Sequence, residues 1–398
     1  MTKRNRFVCV AVIGVAVVAL IVELATHRDG RTVFDSTLGG DFPAFYVAGE
    51  ILNQSNRDRL YDLQFQKDLY RELMPALAND RILPYASPPF LTILYRPLAA
   101  LPYAWAFVIW VIVSVGLFVV GLRLVTESRG LDVWLLAFSF EPLVFETCLG
   151  GQMAAIGFVA LALALQGERR GRPWQTGLAL ALCWFKLTWL IWFVPALLFG
   201  RRWRELAGFV AGTLGLAGFS VWVVGVEGCR AYLGLLRNYA TAQTGSETYF
   251  QTWKFVDVMS CARLLGGGTL SRPALAIAVT LAAAWGSWLL VRWGRDAAEP
   301  WERRAALWSA TLTGTCVFNV YWGVYDTVIV LLAVAVVGRR LPAGWLVALW
   351  MTPWLSQLLA QTARVQVLTF VLAGLAVYFL TSLSKKLPAG GVATDQSA

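Results

Sequence analysis

Long apolar runs alternate with short polar breaks along almost the whole chain. The first run, Phe7–Ala25, is about 19 mostly apolar residues behind the basic stretch Thr2–Arg6. A signal peptide starts the same way, but no small-residue cleavage site follows and many more apolar runs do. The segment therefore reads as a first transmembrane helix. Keeping its basic end in the cytoplasm places residues 26–102 outside.

That external segment is patterned. Phe42, Phe45, Tyr46, Gly49, Ile51 and Leu52 follow helical spacing and predict a helix lying in the membrane interface. Phe65, Leu69, Leu73 and Leu77 predict a second amphipathic helix, with Lys67, Asp68, Arg71 and Glu72 on its other faces. Pro88 and Pro89 forbid a helix running through them. Residues 90–101 are apolar but short, carry Arg96 and stop at Pro102, so they read as re-entrant or interfacial.

Spans are predicted at 103–123, 131–147 and 151–166, the last two forming a hairpin whose outer turn is Gly150-Gly151-Gln152. Residues 174–199 have arginines at both ends, Arg169, Arg170 and Arg172 before and Arg201, Arg202 and Arg204 after. A straight span would export one cluster, so the segment reads as a membrane-dipping V with Lys186 near its tip. Spans at 206–225 and 274–291 bracket a second external loop, 226–272. Further spans at 305–319, 320–338, 344–360 and 365–383 lead to a polar cytoplasmic tail, 384–398, and leave both termini cytoplasmic. The reading is an all-α polytopic membrane protein, one integral domain over 1–398, with about ten transmembrane helices, the dipping segment and external interfacial helices.

Composition supports a membrane protein. The 398 residues are 58% hydrophobic and 15% charged, against about 45–50% and 25% in soluble domains. The net charge of +10 lies in short clusters between apolar runs, so it marks topology and not a nucleic-acid surface. Of the six cysteines, Cys9, Cys148, Cys183 and Cys316 sit in apolar segments and read as packing residues. Cys229 and Cys261 flank the second external loop, where a disulfide is permitted but not required. His27 is the single histidine, and no Cys/His ligand spacing occurs, so no metal site and no cofactor is expected.

Candidate chemistry centres on Leu38-Gly39-Gly40-Asp41-Phe42-Pro43-Ala44-Phe45-Tyr46, a carboxylate among glycines and aromatics at a water–membrane boundary. An Asp before a helix is also an ordinary N-cap. Lys186 is a cation in an apolar segment, which marks a functional site unless it snorkels to the headgroups. Glu141 and Glu146 lie in one predicted span and either line a cavity or pair with a cation. Gln152 and Asp326 open helices at the outer face, where each either touches substrate or caps a turn.

Several motifs line up in order. They are Gly40-Asp41-Phe42 with Tyr46-Val47-Ala48, Leu60-Tyr61-Asp62, and Ser87-Pro88-Pro89 with Arg96-Pro97-Leu98-Ala99-Ala100-Leu101-Pro102. Gly151-Gln152, Lys186 and Tyr325-Asp326 follow. Together, over about residues 38–340, they resemble glycosyltransferase family 87, membrane enzymes of the GT-C class that include mycobacterial α-1,2-mannosyltransferases. The resemblance implies a hexosyl unit, mannose by the family's precedent, moved from a polyprenyl-phosphate donor to a lipid or glycan acceptor. It places the reaction at the outer face of a bacterial plasma (inner) membrane. The family's catalytic acid matches Asp41. The late spans depart: where those mannosyltransferases carry a His pair, this chain reads Asn319-Val320-Tyr321-Trp322-Gly323-Val324-Tyr325-Asp326.

Such a transfer needs a base for the acceptor hydroxyl and cations for the leaving phosphate. A partly desolvated Asp41 suits the first role. Lys186, Arg96, Lys254 and Arg364, all mapped to the external half, are candidates for the second. Tyr46, Glu146, Gln152, Tyr325 and Asp326 are candidate substrate contacts. One carboxylate suffices for an inverting reaction, unlike the paired carboxylates of most glycosidases. The competing class is a secondary transporter or flippase, which shares the broken segment and buried charges. No inverted repeat is visible, and the polar constellation lies in loops instead of at the midplane.

Overall fold

The computed structural model describes residues 3–33, 37–77, 83–126, 130–242, 252–296, 299–337 and 341–383. The expected polar tail, 384–398, lies outside them. The chain is 80% helical without strands among these residues. Helix α1 (Lys3–Thr26) stands largely unburied at the edge, as a lipid-facing helix does, and packs on α6 (Leu131–Phe138). The segment expected to be external holds α2 (Phe42–Asn53), α3 (Leu63–Leu73) and α4 (Pro89–Ala99). Asp62 starts α3 by accepting from the backbone N–H groups of Gln64 and Phe65, both at 3.0 Å. Pro89 starts α4, where its missing N–H is no loss.

Helix α2 has no free face of the kind an amphipathic interfacial helix presents. Ten of its twelve residues are buried, enclosed by α3, α4 and α5 (Tyr103–Val125). Phe42-Pro43-Ala44-Phe45-Tyr46-Val47-Ala48-Gly49 has no polar face to offer water, and the apolar stripe extends all round. At Gly49 the helices touch backbone to backbone: a Cβ there would stand 2.4 Å from the Tyr95 carbonyl oxygen.

Among the described residues four helices are long and apolar enough to cross a bilayer alone: α1, α5, α10 (Trp203–Ala242) and α12 (Arg272–Asp296). The protein is thus a multi-pass membrane protein, and the expected total of about ten spans rests on stretches that are shorter or interrupted. Stretch 131–147 breaks at Ser139 and continues as a π-helix, Pro142–Leu149. Stretch 320–338 opens as a 3₁₀ turn, Val324–Ile329, before α14 (Val330–Val337). Helix α10 bends at Gly225 (φ 74°) and runs on, so the expected external loop 226–272 begins as helix. It then includes α11 (Val258–Leu265). Cys229 and Cys261 are both free thiols, the first beside Tyr61 and the second beside Asp257.

The core forms around α7 (Ala154–Arg169) and α13 (Trp301–Val317), with α15 (Ala343–Thr362) and α16 (Val367–Tyr378) outside α13. Ser309, Thr311, Thr313 and Thr315 are fully buried in α13. Thr311 and Thr315 turn their hydroxyls back to the carbonyls of Leu307 and Thr311, at 2.8 and 2.6 Å. Intrahelical bonds of this kind satisfy a hydroxyl where no water reaches.

The segment expected to dip comprises α8 (Pro173–Ala181), two 3₁₀ turns (Leu182–Phe185 and Leu187–Leu190) and α9 (Phe193–Phe199). It returns to its starting level. Arg202, just past its end, donates to both carboxylate oxygens of Glu168, just before its start, at 3.1 and 2.8 Å. Arg304 of α13 also pairs with Glu168, and Glu205 pairs with Arg202. One buried ionic knot therefore closes the base of the V.

Glycines fix the closest approaches, and they supply a test. Gly151 has φ 65°, and a Cβ there would lie 2.2 Å from the Gly39 carbonyl oxygen. Gly151→Ala is expected to destabilise the fold by more than the roughly 1–3 kcal/mol of a strained backbone alone. Gly116→Ala in α5, where a Cβ meets nothing within 4 Å, should be neutral or slightly stabilising, since Ala favours helix. Thermal unfolding in nanodiscs compares the two; equal midpoints would mean that the Gly39 and Gly151 turns do not press together.

Candidate active site

Asp41 occupies the N-cap position of α2, yet its side chain makes no capping bond. The local sequence explains this. A capping carboxylate seeks the second or third N–H of its helix. The second residue here is Pro43, which has no N–H, and the third N–H, of Ala44, goes to the Asp41 carbonyl at 3.2 Å. The carboxylate instead accepts from Gln152 Nε2 at 2.6 Å, just before the start of α7. Two left-handed turns make that contact possible. Gly39 and Gly40 (φ 75° and 52°) press against Gly150 and Gly151, and the Asp41 N–H donates to the Gly150 carbonyl at 3.1 Å.

The π-helix carries Glu146 into the same region, where Gln357 of α15 donates to it at 3.4 Å. Its Thr147 hydroxyl donates to the carbonyls of Pro142 and Tyr325, at 2.8 and 3.1 Å, and so staples the π-helix to the 3₁₀ turn. Gly323 lets the Tyr325 ring fold back, since a Cβ there would sit 2.5 Å from Tyr325 Cζ.

Lys186 is the one extended residue between the two 3₁₀ turns of the dipping segment (φ −146°, ψ 101°). The helix breaks where the charge sits. The ammonium does not snorkel: it pairs with Asp326, whose side chain is 2% exposed, and lies 4.8 Å from the Tyr325 ring centre. That pair also settles Asp326, which caps no helix.

Lys254 reaches the site because the segment leading into α11 is woven into the bundle. Val256 N–H donates to the Trp322 carbonyl, and the buried Asp257 accepts from Trp322 N–H, both at 2.9 Å. Asp257 also caps α11 through Ser260 N–H at 2.9 Å. Gln366 Nε2 donates to the Trp253 carbonyl at 2.7 Å, next to Lys254. The Lys254 ammonium lies 5.2 Å from the Trp253 ring, within electrostatic reach of Asp41 and Glu146. Burial pushes the Asp41 carboxyl above its ordinary range, while the Gln152 bond and the charges of Lys254 and Lys186 oppose the shift.

Asp41, Glu146, Gln152, Lys186, Lys254, Tyr325 and Asp326 thus form one cluster at the start of α7. Its sixteen residues span roughly 24 Å, so the Glu168 knot lies at the opposite pole. The other expected site residues lie elsewhere. Tyr46 spends its hydroxyl on the Leu101 carbonyl at 2.8 Å and packs on Tyr103. Arg96 lies beside Asn53 at the far end of α2, roughly 18 Å along the helix from Asp41. Arg364 is exposed in a left-handed bend (φ 59°) with its guanidinium against Gly267. Gln357 was the residue that sequence reasoning passed over; its signal was an amide inside the apolar run 344–360. Among the described residues, no group of three or more His, Cys, Asp or Glu side chains is placed to hold a metal ion.

The Lys186–Asp326 pair changes how either residue can be tested. Removing one partner of a buried pair typically costs about 3–5 kcal/mol, because the other charge is left stranded. Lys186→Met is therefore expected to lower stability by about that amount, and Lys186→Met with Asp326→Leu to recover most of it. Thermal unfolding of the wild type, both single variants and the double variant measures the coupling. Additive losses would show that the two charges do not depend on each other.

Comparison with known proteins gives one result. A family model, glycosyltransferase family 87, matches residues 85–319. Searches of curated proteins and of solved structures found no match. The match contains Glu146, Gln152, Lys186 and Lys254 and begins after Asp41, so it is narrower than the resemblance over 38–340. It covers more than half of the chain, and on that extent the protein belongs to glycosyltransferase family 87 and is a glycosyltransferase.

Proposed function

We propose that the protein transfers a hexosyl unit, mannose by the family's precedent, from a polyprenyl-phosphate donor to a hydroxyl of a lipid or glycan acceptor at the outer face of a bacterial plasma membrane. Asp41 is the general base. The observation that carries this assignment is the freedom of its carboxylate. It stands at an N-cap position, is denied capping by Pro43, and is aimed by Gln152 into a cluster holding two lysines.

In the reaction, the acceptor O–H gives its proton to the Asp41 carboxylate as its oxygen bonds to the anomeric carbon. The bond from that carbon to the donor phosphate oxygen breaks, and its electron pair leaves on the polyprenyl phosphate. Attack opposite the leaving group inverts the anomeric centre. Lys254 and Lys186 take up the charge developing on the phosphate, as preorganised cations do. Among the described residues Lys254 has no carboxylate bonded to it, and it is the first to meet the phosphate. Lys186 must share its charge with Asp326. Arg96 and Arg364 have no part in this step. Glu146 and Gln357 offer oxygens to sugar hydroxyls, and the Tyr325 ring offers an apolar wall.

Asp41→Asn preserves shape and the Gln152 contact through its amide oxygen, but it accepts no proton. General base catalysis contributes about 10²–10⁴-fold. Turnover with a polyprenyl-phosphate hexose should fall by that factor while donor binding persists. An Asn variant with near-normal turnover removes Asp41 from the chemistry.

The acid limb of the rate gives an independent check. The base works as the anion and burial favours the neutral acid, so activity should rise only above the pH at which an ordinary Asp ionises, about 3.9. Gln152→Leu and Lys254→Gln each remove a group that stabilises the anion, so each should move the limb to higher pH. A limb that stays in place in both variants would assign the titration to another group.

A further inference from the structure

A cleft of about 430 Å³ lies at the end of α2 opposite Asp41. Leu52, Ile93, Trp222 and Val223 form its apolar walls, and Arg57 and Arg96 supply its charge. Among the described residues neither guanidinium is bonded to a carboxylate; Arg96 has only a 3.4 Å contact with the Asn53 amide oxygen. Glu50, on the same helix, is engaged by Asn53 and Gln54 at 3.4 and 3.2 Å. The cleft is therefore positive at one end and greasy at the other.

Its surroundings continue the pattern. Trp222, 67% exposed, is followed one and two turns down α10 by Gly218 and Leu214, and Leu214 is also 67% exposed. A Cβ on Gly218 or Gly215 would meet nothing within 4 Å, so the exposed apolar surface of α10 continues from the cleft past Trp222 to Leu214. An amphiphile with an anionic head and a long tail matches both parts.

The donor is not that amphiphile. Its phosphate is bonded to the reacting carbon, which must sit beside Asp41, roughly 18 Å away along α2. On its α4 side the helix is closed along that line, where Gly49 is pressed on the Tyr95 backbone and the Phe45 and Tyr95 rings stack at 5.0 Å.

The geometry points to a binding site for an anionic phospholipid of the surrounding bilayer, its phosphodiester held between Arg57 and Arg96 and one acyl chain laid along Trp222 and α10. The lipid fills a gap between the external helices and the kinked span. It is bound without being consumed.

The test uses full-length protein in nanodiscs of equimolar phosphatidylglycerol and phosphatidylcholine, detergent-washed, with retained lipid quantified by mass spectrometry. Two arginines at a membrane surface should enrich phosphatidylglycerol about 30-fold in the retained fraction. Arg57→Gln with Arg96→Gln should abolish the preference, and Arg57→Lys with Arg96→Lys should keep most of it. Equal retention of the two lipids by the wild type overturns the proposal, as does a preference that survives the double Gln substitution. Displacement of the retained phosphatidylglycerol by an equimolar long-chain polyprenyl phosphate also overturns it, and would make the cleft a substrate site.

Discussion

A carboxylate taken out of water is destabilising by several kcal/mol unless a cation meets it, and two such carboxylates hold the dipping segment at both ends. Glu168, 2% exposed, receives Arg202 and Arg304 at the base of the V. Asp326, 1% exposed, receives Lys186 at its apex. Neither pair can be exchanged for water in this setting, so the segment has one depth and one register. The rest of the architecture follows. Helix α7 links the two poles, α13 brings Arg304 to one, and the stretch after α13 brings Asp326 to the other.

This arrangement divides labour between the two cations of the site. Lys186 is needed by the fold, because Asp326 would otherwise be stranded. Its charge is half committed before any ligand arrives. Lys254 comes from a segment pinned by Asp257 and Gln366, and its ammonium lies against the Trp253 ring, within electrostatic reach of Asp41 and Glu146. The two ammonium groups therefore present a graded positive potential, not two equal charges.

Close backbone approach is the other recurring device. Residues 39–40 meet residues 150–151 with no room for a side chain, and Gly49 meets Tyr95 in the same way. Each contact removes space that water would take and sets the distance between chain segments remote in sequence. The Asp41–Gln152 bond is a direct product of this packing. Shifting either turn by the size of a methyl group would open a contact that is now 2.6 Å.

By itself the sequence determined the membrane class, the positions of the long apolar helices and the break in 174–199, because hydrophobic run length and arginine clusters act locally. It also singled out Asp41, Gln152, Lys186 and Asp326, since a charge or amide in an apolar setting is conspicuous without coordinates. Tertiary structure alone decided which of these meet. Sequence spacing did not indicate that Lys186 belongs to Asp326, that Lys254 joins the site while Arg96 and Arg364 do not, or that α2 is enclosed. The reason is physical: pairing a charge across 140 residues depends on how deep each segment sits and which way it turns. Those are set by the sum of many packed contacts. Even whether the Asp41 carboxylate caps α2 turned on two bonds, the Ala44 N–H given to a carbonyl and the Gln152 amide arriving from the turn before α7.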